Sequence, residues 1–188
     1  MKVLKKVLAG AGAAVGVIAI GLAAALPASA APAAPARHAV NYEWISGTLT
    51  GPGALANAPV VPLRLTGAVN TWGNINLGGN SAVSKIWTAK GTLTVWHGNP
   101  NPPPKLNYAS CRVTYAVSTS YQVLGNQSNG AFRKAQGNGR AAVVFSWIAP
   151  RNTFGKYKGQ CNFSPKVKPL PYGAWITFNA QGPLYVWH

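Results

Sequence analysis

From Arg112 to Leu124 the chain alternates strictly. Val113, Tyr115, Val117, Thr119, Tyr121 and Val123 fall on one side, and Arg112, Thr114, Ala116, Ser118, Ser120 and Gln122 on the other. A period of two is that of a β-strand with one apolar and one small, polar face. The pattern recurs in Ala174, Ile176, Phe178 and Ala180, which alternate with Trp175, Thr177 and Asn179, and in Val61, Leu63, Leu65 and Val69. Tyr42–Leu49, Thr92–Trp96, Ala141–Ile148 and Leu184–Trp187 predict further strands. Beyond the first thirty residues no segment carries apolar positions at i, i+3, i+4 and i+7 over two turns, so no helix is predicted there. Glycine- and proline-rich stretches punctuate the strands: "GPG" at 51–53, "NLGGN" at 76–80, "GNPNPPPK" at 98–105 and "APRNTFGKYKG" at 149–159. "QGP" at 181–183 predicts a hairpin between the last two strands. Many strands without helices argue an all-β barrel or sandwich, and closure into a barrel would remove exposed edges.

The N-terminus follows a different rule. Lys2, Lys5 and Lys6 precede an unbroken apolar run from Val7 to Leu26, and "PASAAPAAPA" follows with small residues at Ala28 and Ala30. A charged start, an apolar helical middle and a small-residue exit predict a signal peptide over residues 1–30. The run is also long enough to span a bilayer, so a retained anchor is the alternative. Residues 31–40 read as a flexible Ala/Pro leader, and 41–188 as a single domain large enough to bury a core. The expected product is secreted and extracellular, with no transmembrane anchor after processing.

Cys111 and Cys161, the two cysteines, both follow the signal segment. An even count in an exported chain predicts one disulfide; two buried free thiols are the alternative. His38, His97 and His188 show no recognisable ligand spacing, so no metal site and no cofactor are predicted.

Charge is the most unusual global feature. The chain has 17 Lys and Arg against one acid, Glu43, and no Asp, for a net charge of +16. Without the three signal-peptide lysines the net is about +13. Such a field attracts polyanions and anionic surfaces over a range set by salt; a simple aid to solubility is the bland reading. Lys156, Lys158, Lys166 and Lys168 form the densest cationic group and are the anion-binding candidates. No element for specific nucleic-acid recognition is present.

The stretch "YQVLGNQSNGAFRKAQGNG", Tyr121–Gly139, ends one strand and leads to the next through glycines. Gly125 and Gly130 permit backbone angles other residues resist. Phe132 is placed to fold inward and plug one end of the sheet, and Gly137 and Gly139 to turn or bulge the chain before a strand starting at Arg140. Val123, Gly125, Gly130, Phe132, Ala135, Gly137 and Gly139 resemble a "V-x-G-G-T-G-x-F-x-G-A-x-G-x-G" pattern of allene-oxide-cyclase-like and dirigent-like barrels and of small exported actinobacterial proteins. The insert in "GNQSNGAF" and Lys134 in place of the glycine before Ala135 depart from it. "TLTVWHGNPNPPPKLNYASC" and "WITFNAQGPL" are similar to the actinobacterial group. The resemblance implies an antiparallel barrel of about eight strands. A sandwich is the second choice.

Absent residues narrow the chemistry. One carboxylate cannot build a two-carboxylate glycosidase, an aspartyl dyad, an EF-hand or a Ser-His-Asp triad, and no P-loop, dinucleotide fingerprint or HExxH occurs. Glu43 is the sole candidate acid or base. Inside an apolar barrel its pKa would rise and it would serve a cyclase or isomerase; a surface residue paired with one of the many cations is the preferred expectation. His97 is placed at a strand end, where it lines a barrel mouth or simply terminates the strand. The seven Trp and seven Tyr are expected mainly to fill the interior or clasp the ends, with stacking of sugars or bases as the alternative. The expected function is therefore non-catalytic: binding of anionic extracellular or cell-envelope components, together with a small apolar ligand. A cyclase or isomerase using Glu43 and a cationic antimicrobial protein are the alternatives.

Overall fold

A computed structural model of the chain describes residues 41–78 and 81–187. The expected signal peptide and leader, and with them His38, lie outside the described residues, as does His188. In chain order the strands are β1 (Asn41–Thr50), β2 (Val60–Thr66), β3 (Thr71–Asn76), β4 (Val83–Thr88), β5 (Gly91–His97), β6 (Lys105–Asn107), β7 (Arg112–Val123), β8 (Gln136–Ile148) and β9 (Leu170–Tyr185). Two short 3₁₀ turns, Gly51–Leu55 and Gly130–Phe132, complete the regular structure among the described residues.

Each strand pairs antiparallel with its neighbour in the order β5-β4-β3-β2-β1-β9-β8-β7, and β7 pairs back to β5. The result is a closed eight-stranded barrel, with β6 added to the outer part of β7. One end, the plugged end, carries the β2–β3 and β4–β5 turns, the β7–β8 connection and the start of β1. The other carries the β3–β4 turn and the end of β5, and β7, β8 and β9 run on beyond it.

The inward faces form one core: Ile45, Val61, Leu63, Leu65, Ile75, Ile86, Leu93, Ile176 and their neighbours are buried. Phe132 is fully buried at the plugged end, with Ala135, Val69 and Leu184 in the same core. A smaller cluster of Cys111, Val113 and Ala149 sits beneath the β8–β9 connection, where Cys111 and Cys161 are disulfide-bonded.

Three expectations about the fold are corrected. "QGP" is no hairpin, because β9 continues through it and pairs with β1 on one side and β8 on the other. Gly137 and Gly139 are not a turn but part of β8. A side chain on Gly137 would meet the Pro183 carbonyl, and one on Gly139 the Tyr121 ring and the Gln181 carbonyl. β3, β4 and β6 were not predicted. Most tryptophans do not fill the interior: Trp44, Trp72, Trp87, Trp96 and Trp187 are exposed, because each alternates with an inward-facing neighbour, whereas Trp147 packs against the core and the Trp187 indole donates to the Lys134 carbonyl at the plugged end.

Candidate functional site

The plugged end leaves the opposite half of the barrel hollow. A cavity of about 760 Å³ opens there, beside the β3–β4 turn and the segment that follows β5. Its walls are apolar, from Ile45, Ile75, Ile86, Val117, Val143 and Phe178. These residues face inward because the period of two places them there, and the rows opposite them on β7 and β8 carry Thr119 and Ala141, too small to fill the lumen. Pockets of this size with apolar walls and a few placed polar groups are typical of small-molecule sites.

The polar groups gather at the mouth. The Ser84 hydroxyl lies 2.9 Å from His97 Nε2, and His97 Nδ1 lies 2.7 Å from the Gly98 carbonyl. A carbonyl only accepts, so Nδ1–H donates to it, and in the neutral ring Nε2 accepts from Ser84. His97 is thereby oriented rather than free to rotate. The Tyr115 hydroxyl donates to the side-chain oxygen of Asn101, tying the proline-rich segment to β7 across the mouth.

At the inner end Tyr121 lines the cavity. Burial, then the nearby Glu43 carboxylate and Tyr42, push its pKa up to about 12. Glu43 itself is two residues before Ile45 on β1, points inward and is only 1% exposed. The expected surface position, paired with a cation, is therefore corrected: the register that turns Ile45 toward Ala180 turns Glu43 inward and Trp44 outward. Val69 N–H donates to Glu43 Oε2 at 3.0 Å, while Oε1 has no partner among the described residues. Burial raises the Glu43 pKa, and the backbone N–H groups of Val69 and Ala68 partly oppose the rise. Glu43 is not a lining residue of the cavity.

The remaining candidates are not gathered at the cavity. Lys156, Lys158, Lys166 and Lys168 are exposed on the β8–β9 connection. Gly125 and Gly130 shape the plug: a side chain on Gly125 would strike the Ala135 carbonyl, and Gly130 has φ 57°. Among the described residues no three of His, Cys, Asp and Glu lie close enough together to hold a metal ion. Sequence reasoning missed Ser84, Tyr115 and Asn101; the signal available was the inward parity of Tyr115, read as core rather than as wall.

Comparison with protein-family models, curated proteins and solved structures finds no match to this chain.

Proposed function

We propose that this is a secreted binding protein whose barrel takes a small apolar ligand, and whose cationic exterior keeps it at anionic extracellular or envelope material. The observation that carries the reading is the cavity of about 760 Å³, largely apolar along its walls, with Thr119 and Tyr121 as polar groups inside and His97, Ser84, Tyr115 and Asn101 near its mouth. The Cys111–Cys161 disulfide agrees with an oxidising, extracellular setting. No described acid opposes the 13 basic residues of the described domain, because Glu43 is buried. The cyclase or isomerase alternative needs Glu43 in contact with substrate, and its absence from the cavity lining weighs against that role. The antimicrobial alternative has no amphipathic basic helix to act through among the described residues.

The test is titration with an uncharged apolar fluorophore, N-phenyl-1-naphthylamine, against the protein and a cavity-filling Val117→Trp variant. Saturable binding to the protein, weakened roughly tenfold or more in the variant at an unchanged melting temperature, is expected. Equal binding to both, or none to either, overturns the reading.

A further inference from the structure

The β8–β9 connection opens with a stiff hairpin. Asn152 N–H donates to the Gln160 carbonyl at 2.9 Å, Gly159 N–H donates to the Asn152 carbonyl at 2.8 Å, and Arg151 and Cys161 bridge across its base. The Arg151 guanidinium donates to the Gly159 carbonyl and to the Ala109 carbonyl, both at 2.7 Å, and the disulfide ties the same base to the start of β7. The tip is thus held out on a rigid stalk.

What the tip presents is unusual. Phe154 is 84% exposed, the highest exposure among the large hydrophobic side chains described. Beside it stand exposed Lys156, Tyr157 and Lys158, with the Lys156 ammonium 4.8 Å from the Tyr157 ring centroid. Lys166 and Lys168 follow on the same connection, and no acid occurs anywhere in it.

We propose that the hairpin Arg151–Cys161 docks onto an anionic lipid bilayer, with Phe154 entering the interface and the lysines meeting lipid phosphates. Both halves of the chemistry are needed to choose this occupant. A soluble polyanion satisfies the lysines but leaves a projecting phenyl ring without a role, whereas a zwitterionic bilayer accepts the ring and gives the lysines little. The hairpin also leaves the barrel at the end where the cavity opens. Docking therefore sets the mouth on the membrane side, where an apolar ligand is found. The proposal deepens the binding role above and rests on it for the extracellular anionic surface.

The experiment is co-sedimentation with vesicles of phosphatidylglycerol and phosphatidylcholine, compared with vesicles of phosphatidylcholine alone, for the protein, Phe154→Ser and Lys156→Gln/Lys158→Gln. Binding to the anionic vesicles alone is expected, weakened roughly tenfold by Phe154→Ser. The paired lysine change should weaken it roughly fivefold for each charge removed. Retention of Phe154→Ser on heparin should equal that of the parent. Equal vesicle binding by Phe154→Ser, equal binding to both vesicle types, or heparin retention lost in step with vesicle binding overturns it. Naphthylamine titration of Phe154→Ser reads the cavity separately, so failure of docking and failure of ligand binding are distinguishable.

Discussion

Lys134 holds its backbone at φ 61°, in the left-handed region that a side chain resists. Its N–H donates to the Gly125 carbonyl at 2.9 Å, and its own carbonyl accepts from the Trp187 indole at 3.1 Å, so the plug fixes the conformation from both sides. This is the position at which the resembled motif carries glycine. Lys134→Gly should raise stability by about 1 kcal/mol, read as a higher denaturant midpoint at unchanged slope; an unchanged or lower midpoint would show that the lysine side chain itself matters. Single residues were also where the sequence misled. In "YEWI" the alternation was plain but its phase was not, because Tyr42 and Trp44 look more like core than Glu43 does. Register decides the phase, and register comes from pairing with β2 and β9, which no local window contains.

Among the elements, the long alternating strands β7, β8 and β9 were legible, while β3 and β4 were not. The inward positions of those two include Thr71, Gly73, Ser84 and Thr88, small or polar residues that mute the periodicity. Ser84 lines the cavity, so the weak signal and the open lumen share a cause. "QGP" predicts a break, yet β9 runs through it. Gly182 lies where a side chain would strike the Asn138 carbonyl, and Pro183 sits near the strand's end, where one missing donor is tolerated. The β8–β9 connection depends on its crosslink more than the barrel does, because its own buried cluster is small. Replacing Cys111 and Cys161 by serine removes a closure of 50 residues, and the chain-entropy model puts the cost at about 4 kcal/mol. Thermal unfolding of the double variant checks this. In hydrogen exchange, amides of Arg151–Cys161 should lose protection before those of β1 and β2.

At the scale of the molecule, the near absence of carboxylates fixes the response to acid. Ordinary domains lose stability in acid as paired carboxylates gain protons; here the sole side-chain carboxyl is Glu43, whose folded pKa is raised. The folded state therefore holds this proton more tightly than the unfolded chain. The contribution of Glu43 to stability is fully present below the ordinary value of 4.5 and is lost as pH rises from there through the folded pKa. Glu43→Gln keeps a carbonyl oxygen for Val69 and has nothing to ionise. It should match the parent in acid and exceed it at neutral pH, as urea melts across pH 3 to 8 would show by a gap that opens upward; a gap that widens in acid would contradict the buried, uncompensated carboxyl. Composition made the charge excess visible, but only the fold reveals that the one acid is hidden from it.

β9 lies against β1 over ten consecutive residue pairs and against β8 on its other edge. β1 thus has one edge met by its chain neighbour β2 and the other met only by β9. Without residues 170–185 the sheet would be an open ribbon, so the lumen depends on one pairing between strands far apart in the chain.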